Sequence, residues 1–299
     1  MTTKLLHVSS EVQSALYASK PIIALESTVI AHGLPRPQNL QTAQRLEQIV
    51  REHGAVPATI AMLDGELRVG LTSSDLEMLA NSDDIKKLSV RDLAIGAAQK
   101  WNGATTVAST IWTAHRAGIR VFATGGIGGV HRGSLPDISA DLPQLAETPM
   151  IVVCSGAKIV LDLPATREWL ETHRVTVIGY ECDQMPAFYS RASGLPVDAR
   201  CNSPEEVVQI FHSQRELDLS SALLVTVPIP LGAEVESSLL NKILNDALDQ
   251  ANRQNISGRD LTPFLLAQMS EASVGATLRA NIALLENNAR VAAQIASVL

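Results

Sequence analysis

The sequence predicts an α/β protein with a three-layer α/β/α architecture and a mixed, mostly parallel sheet. Segments rich in β-formers alternate with segments of helical periodicity along the whole chain. Hydrophobic residues make up 46% of the chain but aromatic residues only 3%. Ala, Val, Ile and Leu must therefore pack the core, as in parallel sheets covered by helices. Because neither a repeat nor a Pro/Gly-rich linker divides the sequence, residues 1–299 are predicted to form a single domain.

The first elements of this pattern are a strand at 22–30 and a helix at 37–53. Strand-like segments at 58–63 and 66–69 then flank Asp64-Gly65, a strong two-residue hairpin signal. This hairpin adds antiparallel pairing to a parallel sheet. Later in the chain we predict short strands at 105–108, 119–123, 150–154, 175–179 and 222–227, and two amphipathic helices within 261–299.

Charge and cysteine content exclude several classes of protein. A net charge of -7 provides no long-range attraction for nucleic acid or an anionic membrane, so neither is expected as a partner. The three cysteines, Cys154, Cys182 and Cys201, form no C-x-x-C pair, which favours reduced thiols in the cytoplasm. The sequence has no signal-peptide pattern and no apolar run near the ~20 residues of a membrane span. We therefore expect a cytoplasmic protein.

Lys158 is the most informative single residue. It follows an apolar run at 150–154, which predicts a buried strand, and a tight Ser155-Gly156 turn. A lysine at the carboxyl end of such a strand points into the crevice where α/β proteins bind ligands. Burial there favours the neutral amine, which is a nucleophile. The alternative is a lysine that begins the next helix and extends to water, and spacing alone leaves both open.

Glu26 is a charged residue within a strand-like segment, 24–30. A buried carboxylate costs free energy unless it is paired or protonated, so it usually has a partner or a catalytic task. The alternative, of equal weight, is a strand residue that faces solvent. His32-Gly33 follows and is consistent with a loop at the end of the strand, where a site would form.

Two segments are candidates for binding an anion. Basic residues concentrate at 86–92, where Lys87 or a neighbour can bind a phosphate, although a solvated face is the commoner explanation. The segment 125–133 holds five glycines but matches neither G-x-G-x-x-G nor a P-loop. Such glycines allow backbone amides to approach an anion closely.

Asp137 and Asp141 are four residues apart and would share one face of a helix. A divalent ion such as Mg²⁺ or Mn²⁺ often binds one or two carboxylates plus waters. Capping of a helix by Asp137 or Ser139 explains the pattern equally well. Asn281, in the last helical stretch, needs a hydrogen-bond partner, which is usually a helix neighbour and otherwise a ligand.

Together these segments resemble the pseudouridine-5'-phosphate glycosidase family, also called the indigoidine synthase A-like family. The family cleaves the C–C glycosidic bond of pseudouridine 5'-phosphate to uracil and ribose 5-phosphate, or runs the reaction in reverse. The matching blocks cover nearly the whole chain in a fixed order: residues 24–33, 87–93, 103–107, 125–133, 137–142, 155–158, 186–189, 262–266 and 280–284.

The resemblance implies roles for individual residues. Lys158 would be the covalent nucleophile and Glu26 the proton donor, while Asp137 would bind a divalent ion, typically Mn²⁺, with Mg²⁺ as another option. A homotrimer with an α/β/α core is also implied. The substrate site would be lined by Lys87, Val107, His131, Ser139, Ala140, Asp141 and Asn281.

The chemistry of the family agrees with the residue types. A C–C glycosidic bond lacks the leaving heteroatom that paired-carboxylate glycosidases protonate. An imine between Lys158 and C1' of the opened ribose supplies the electron sink, and Glu26 can protonate the departing ring oxygen. One alternative is a Schiff-base lyase or aldolase that acts on another phosphosugar. A second is a non-catalytic phosphosugar-binding protein, which would have little reason to retain Glu26, Lys158 and Asp137.

Overall fold

A computed structural model of the protein describes residues 5–132, 137–254, 256 and 261–299. Within these ranges eleven strands form one sheet. They are β1 (Leu6–Val8), β2 (Ile22–Glu26), β3 (Val56–Leu63), β4 (Glu66–Val69), β5 (Lys86–Leu88), β6 (Gly103–Thr105), β7 (Val121–Ala123), β8 (Ile151–Cys154), β9 (Thr176–Tyr180), β10 (Ala199–Cys201) and β11 (Leu223–Thr226). Their order is β1-β4-β3-β2-β7-β8-β11-β9-β10, and β6 pairs with both β3 and β5.

Helices cover both faces of this sheet and complete the three layers. The helices are α1 (Ser10–Tyr17), α2 (Gln38–Glu52), α3 (Ser73–Asn81), α4 (Leu93–Ala98), α5 (Val107–Arg116), α6 (Asp141–Glu147), α7 (Leu163–Thr172), α8 (Pro204–Glu216), α9 (Ser237–Arg253), α10 (Leu261–Ala272) and α11 (Ala276–Ser297). Short turns of π helix at Val29–Gly33 and of 3₁₀ helix at Val90–Asp92 and Leu231–Ala233 connect some of them. The two predicted terminal helices are confirmed as α10 and α11.

The sheet is mixed and mostly parallel, as predicted. β3 pairs antiparallel with β4 and with β6, and every other pairing between the described strands is parallel. Asp64 and Gly65 join β3 to β4 with φ values of 50° and 79°, the positive values that a tight hairpin turn requires. Every residue of β2 and of β8 is buried, as expected for parallel strands covered on both faces.

The strand predicted at 22–30 is too long. It ends at Glu26, after which Ser27 and Thr28 donate their hydroxyls to backbone carbonyls of β3 and β6. Hydroxyl groups that bond to backbone in this way compete with the strand ladder. A π-helical turn, Val29–Gly33, follows, so the chain leaves the sheet directly after Glu26.

The strand predicted at 105–108 is also wrong. β6 ends at Thr105, and α5 begins at Val107. The hydroxyl of Thr106 accepts a hydrogen bond from the amide of Ser109 at 3.5 Å, which caps the helix. Capping by Thr106 therefore outweighs the β propensity of Val107.

In the described part of the chain, no helix is both long enough and apolar enough to cross a membrane.

Candidate active site

The carboxyl ends of β2, β7 and β8 lie side by side, because these strands are parallel neighbours. Open α/β sheets bind ligands at this edge. A cavity of about 680 Å³ opens there. All ten candidate site residues line it: Glu26, Lys87, Val107, His131, Asp137, Ser139, Ala140, Asp141, Lys158 and Asn281.

Glu26 is the last residue of β2 and is only 9% exposed. Its Oε1 accepts a hydrogen bond from the hydroxyl of Thr124, which directly follows β7. Burial raises the pKa of the Glu26 carboxyl, while the positive charge of Lys158 and the Thr124 hydrogen bond oppose this rise. The expectation of a buried carboxylate with a partner is confirmed, and the solvent-facing alternative is wrong. A carboxyl group whose pKa is raised can act as a proton donor.

Lys158 lies in the turn after β8, and its side chain is half-buried. The amide of Lys158 donates to the carbonyl of Ile127 at 3.1 Å. Gly156 has φ +80°, and a Cβ atom there would lie 2.1 Å from the carbonyl oxygen of Pro186, so the turn requires glycine. Because α7 begins only at Leu163, Lys158 does not start the next helix. It lines the cavity instead.

Cys154 is a second potential nucleophile close to this turn. It is the last residue of β8 and is fully buried, and this burial raises the pKa of its thiol to about 12. The thiolate, rather than the thiol, is the reactive form of cysteine. Cys154 therefore stays protonated and inert, and Lys158 is the stronger candidate.

Asp141 is the first residue of α6 and is buried. Its Oδ2 accepts a hydrogen bond from the amide of Gly128 at 2.8 Å, and its Oδ1 accepts one from the amide of Ala108 at 2.9 Å. A Cβ atom on Gly128 would lie 2.2 Å from the hydroxyl oxygen of Ser139. The carboxylate thus holds the glycine-rich segment against the first turn of α5. Gly133, the last glycine of the predicted anion loop, lies outside the described residues.

Asp137 and Asp141 do not form the helical pair that their spacing suggests. α6 begins only at Asp141, and a backbone bridge between Val130 and Ile138 holds Asp137 in an extended segment. The carbonyl of Asp137 accepts a hydrogen bond from the amide of His131 at 2.8 Å. His131, Asp137 and the exposed Ala140 therefore form one rim of the cavity.

Neither Asp137 nor Ser139 occupies the N-cap position of α6, which is Ala140 without a side-chain cap, but Ser139 does satisfy one free amide there. Its hydroxyl accepts a hydrogen bond from the amide of Asp141 at 3.3 Å, at the start of α6. Its own amide donates to the carbonyl of Gly129 at 3.0 Å. Ser139 thus links the start of α6 to the glycine-rich segment.

Asp137 is the candidate metal ligand. Its side chain is exposed, and no other described residue forms a hydrogen bond or ion pair with it. Within the described ranges, no group of three or more His, Cys, Asp or Glu side chains is placed to surround a metal. One such carboxylate fits a hard divalent ion that keeps most of its waters. A metal enclosed by protein ligands alone does not fit these residues.

Lys87 is the middle residue of β5 and is half-buried beside His32 of the π-helical turn. Burial lowers the pKa of His32, and the charge of Lys87 lowers it further. The neighbouring Lys86 differs, since it is exposed and pairs with Asp84 at 2.9 Å. The solvated-face explanation therefore applies to Lys86, whereas Lys87 faces the cavity.

Two helices contribute the remaining candidates. Val107 is 1% exposed in the first turn of α5, and Asn281 is 7% exposed on α11. Asn281 forms no side-chain hydrogen bond to any residue that the structure describes. The prediction that a helix neighbour is the hydrogen-bond partner of Asn281 is therefore wrong. A buried amide without a protein partner at a cavity wall is suited to bind a ligand.

Three further residues shape this site, and the sequence assigned a role in it to none of them. Thr124 bonds to Glu26, Phe188 lines the cavity at φ 62°, and Asn288 hydrogen-bonds beneath it. A threonine after a strand and an aromatic residue in a loop carry no specific signal. Asn288 has one, because it lies among apolar residues on an amphipathic helix and needs buried partners.

The chain as a whole was compared with known proteins, and it matches one family over nearly its full length. Residues 11–298 match the family described as indigoidine synthase A like protein. A pseudouridine-5'-phosphate glycosidase of Geobacillus kaustophilus (strain HTA426) is 50% identical over 293 residues, which cover 97% of each chain. The enzyme of the same name from Staphylococcus aureus (strain MW2) is 48% identical over 295 residues, covering 98% of this chain and 96% of the relative.

Two solved structures are similar to this chain over nearly its whole length. An indigoidine synthase A-like protein from Thermotoga maritima MSB8 has a TM-score of 0.90 and 36% identity, and the match covers 98% of this chain and 95% of the other. The prealnumycin C-glycosynthase AlnA, in complex with ribulose 5-phosphate, has a TM-score of 0.91 and 39% identity, with coverage of 100% and 98%.

Proposed function

Because the chain belongs to the indigoidine synthase A-like protein family, we propose that it is a pseudouridine-5'-phosphate glycosidase. Such an enzyme is a lyase that reversibly cleaves pseudouridine 5'-phosphate to uracil and ribose 5-phosphate. Relatives with this name reach 50% identity over nearly the whole chain. The observation that carries the proposal is the placement of Glu26 and Lys158 in one cavity, with the pKa of Glu26 raised by burial.

Ring opening is the first step of the proposed reaction. The amine of Lys158 forms a bond to C1' of the ribose while the bond from C1' to the ring oxygen breaks. Glu26 gives its proton to that oxygen as it leaves, which requires a carboxyl that is still protonated at working pH. The raised pKa of Glu26 supports this role.

Cleavage of the C–C bond follows from the nitrogen at C1'. The nitrogen first loses a proton, and its lone pair then forms a protonated imine as the bond from C1' to C5 of the base breaks. The electron pair of that bond goes to C5, which takes up a proton, so one proton is lost and one is gained. Water then adds to the imine and releases ribose 5-phosphate and Lys158. The reverse sequence joins uracil to ribose 5-phosphate.

Other residues of the cavity would hold the substrate. Lys87 supplies a positive charge for the phosphate, and the amides of the glycine-rich segment supply further donors. Asn281 and the Ser139–Asp141 segment offer polar groups for the sugar and the base, beside Val107 and His131. A phosphosugar ligand is consistent with the AlnA relative, whose structure contains ribulose 5-phosphate.

A divalent ion, Mn²⁺ or Mg²⁺, is part of the proposal, with Asp137 as its protein ligand. When bound, such an ion compensates negative charge on substrate oxygens. Asp137 is suited to hold it because its carboxylate is exposed at the rim of the cavity. Both oxygens of the Asp141 carboxylate already accept a hydrogen bond from a backbone amide, so Asp137 is the better ligand for the ion.

The proposal extends to location and assembly. The three cysteines are free thiols, which is consistent with the cytoplasm. The family resemblance implies a homotrimer. Light scattering on the purified protein measures the number of copies directly.

Trapping of the imine tests the function. The protein is incubated with ribose 5-phosphate and borohydride, and the modified peptide is identified by mass spectrometry. We expect one reduced pentose-phosphate adduct on Lys158, together with release of uracil from pseudouridine 5'-phosphate by the untreated protein. Lys158→Gln should show neither.

Two results would contradict the proposal. An adduct on another lysine, or none during turnover, would exclude the imine at Lys158. Adduct formation without uracil release would instead favour a Schiff-base lyase or aldolase that acts on another phosphosugar.

A further inference from the structure

Asn288 is a fully buried amide in the middle of α11. Its helix packs against β2, β7 and β8, the strands whose carboxyl ends form the cavity. Neighbouring buried positions of α11, such as Leu284, Leu285 and Ala292, are apolar. An apolar side chain of similar volume would fill this core without the cost of burying an amide. The hydrogen bonds of this amide offset the cost of burying it.

One group of these bonds reaches the segment that follows β7. Nδ2 of Asn288 donates to the carbonyl of Thr124 at 2.8 Å and lies 3.4 Å from the carbonyl of Gly125. The hydroxyl of the same Thr124 donates to Oε1 of Glu26. Fixing the backbone of Thr124 therefore fixes the position of the hydroxyl that bonds to Glu26.

A second group reaches the segment that follows β8. Nδ2 of Asn288 donates to the hydroxyl oxygen of Ser155 at 3.1 Å. The same hydroxyl donates to Oδ1 of Asn288 at 3.2 Å. Ser155 opens the turn that ends at Lys158, and its carbonyl accepts a 3.0 Å hydrogen bond from the amide of Phe188. The start of the Lys158 turn is thus held from α11 on one side and from the Phe188 loop on the other.

The need for such a link comes from the geometry of the sheet. The amide of Ser155 still donates to the carbonyl of Gly125 at 2.9 Å, but the carbonyl of Thr124 has passed beyond the last paired residue of β7, Ala123. Buried carbonyls require a donor. Asn288 supplies it to Thr124 from a third element, more than 160 residues later in the chain.

We propose that Asn288 is a positioning residue that acts through Thr124 and Ser155 to hold Glu26 and Lys158 in their relative positions. This inference rests on the proposed roles of Glu26 and Lys158 in the glycosidase reaction. Asn288 itself does not line the cavity, so it has no contact with the reacting atoms. A group of this kind affects the chemical step rather than the binding of substrate.

The test compares Asn288→Leu with Gln214→Leu. Gln214 is also a buried amide on a helix, α8, but its Nε2 bonds to Thr176 at the start of β9, the edge of the sheet opposite to the cavity. Both variants lose a buried amide. The stability of each variant is measured by unfolding in urea. The values of kcat and KM and the pH profile are measured with pseudouridine 5'-phosphate. The rate of imine trapping is measured with ribose 5-phosphate and borohydride.

For Asn288→Leu we expect kcat to fall on the order of 10- to 100-fold with little change in KM, since small displacements of reacting groups cost this much. Imine trapping should slow in parallel. The Thr124 hydrogen bond opposes the rise in the pKa of Glu26 that burial causes. A weaker hydrogen bond from Thr124 should therefore raise the pKa of Glu26. The pH at which activity is lost through deprotonation of Glu26 should then shift to a higher value. This part of the pH profile is identified by its absence in Glu26→Gln. Gln214→Leu should leave kcat and the pH profile unchanged.

Each other outcome has a defined meaning. A folded Asn288→Leu with the kcat and pH profile of the wild type would overturn the inference, as would equal losses in both variants. If Asn288→Leu does not fold, Ser155→Ala removes the Ser155 bond with a smaller change and must slow imine trapping at constant KM. Failure of the wild type to release uracil would refute the proposed function instead.

Discussion

Oδ2 of Asp141 accepts a 2.8 Å hydrogen bond from the amide of Gly128. The other oxygen of this carboxylate binds the amide of Ala108 at 2.9 Å. One buried charge thus joins the glycine-rich segment to the first turn of α5, and both border the cavity. Its charge also adds to the effect of burial in raising the pKa of Glu26.

Asp141→Asn should therefore affect both stability and the pH profile. An asparagine side chain has only one carbonyl oxygen, whereas the amides of Gly128 and Ala108 each need an acceptor. We therefore expect the free energy of unfolding to fall by about 1.5–3 kcal/mol, the usual range for a hydrogen bond to a charged group. Without the negative charge, the pKa of Glu26 falls, and the activity limb that depends on protonated Glu26 moves to lower pH. Urea unfolding and kcat/KM against pH measure the two effects. Asp75→Asn, which alters a capping carboxylate on α3, should leave the limb in place.

Glu26→Gln tests the proton donor. Glutamine keeps the size of the side chain and can still bond to Thr124, so substrate binding should persist. Turnover should fall roughly 10²–10⁴-fold, the usual contribution of one acid–base group. Substrate affinity and single-turnover rates separate the two quantities. Unchanged turnover would assign proton transfer to another group.

The same substitution also has a predicted effect on stability against pH. The pKa of Glu26 is raised in the folded protein above its ordinary value of 4.5. The stabilising contribution of this group is complete below pH 4.5 and is lost as pH rises through the folded pKa. The stability of wild type relative to Glu26→Gln should therefore decline as pH rises from 4.5. Urea unfolding of both proteins across this range measures the difference, and a constant difference would contradict the raised pKa.

Lys87→Ala tests recognition of the phosphate. Loss of a charge-assisted contact costs roughly 1.5–3 kcal/mol, so kcat/KM for pseudouridine 5'-phosphate should fall by about 10- to 200-fold. The slower reaction of unphosphorylated pseudouridine should scarcely change. Lys86→Ala is the matched control, since Lys86 is adjacent but pairs with Asp84 away from the cavity. Equal losses on both substrates would instead place Lys87 beside the sugar or the base.

Removal of divalent ions tests the role of Asp137. Treatment with a chelator should abolish activity, and Mn²⁺ or Mg²⁺ should restore it in the wild type. Asp137→Ala should need a higher ion concentration or resist rescue, because its one protein carboxylate for the ion is gone. Asp84→Asn, an exposed carboxylate outside the cavity, should respond like the wild type. Full activity without divalent ions would contradict the role of Asp137 as a metal ligand and would leave it only as a residue that lines the rim of the cavity.

The sequence predicted the parts of the site that local pattern determines. A charged residue in a strand and a lysine after a strand identified Glu26 and Lys158, because both signals come from the ends of buried parallel strands. The prediction that Asp137 and Asp141 share one face of a helix is wrong. A backbone bridge from Val130 to Ile138 prevents a helix at Asp137.

What the sequence did not predict depends on contacts between distant segments. Thr124 and Asn288 meet across 164 residues, and periodicity within one helix does not specify a partner on a strand. The end of β2 is another case, since Ser27 leaves the ladder to bond with Ile60 on β3. Such competition is decided by tertiary neighbours rather than by propensity.

The position of α11 has a consequence for synthesis of the protein. Glu26, Lys158 and Asn288 are made in that order, and domains begin to fold while the chain is still being extended. A nascent chain that ends between Lys158 and Asn281 holds Glu26 and Lys158 but lacks Asn281 and Asn288. Such a chain lacks the hydrogen bonds that Asn288 makes to Thr124 and Ser155 in the full chain. Ribosomes that stall before α11 would therefore release chains that carry both reactive groups but lack the element that aligns them.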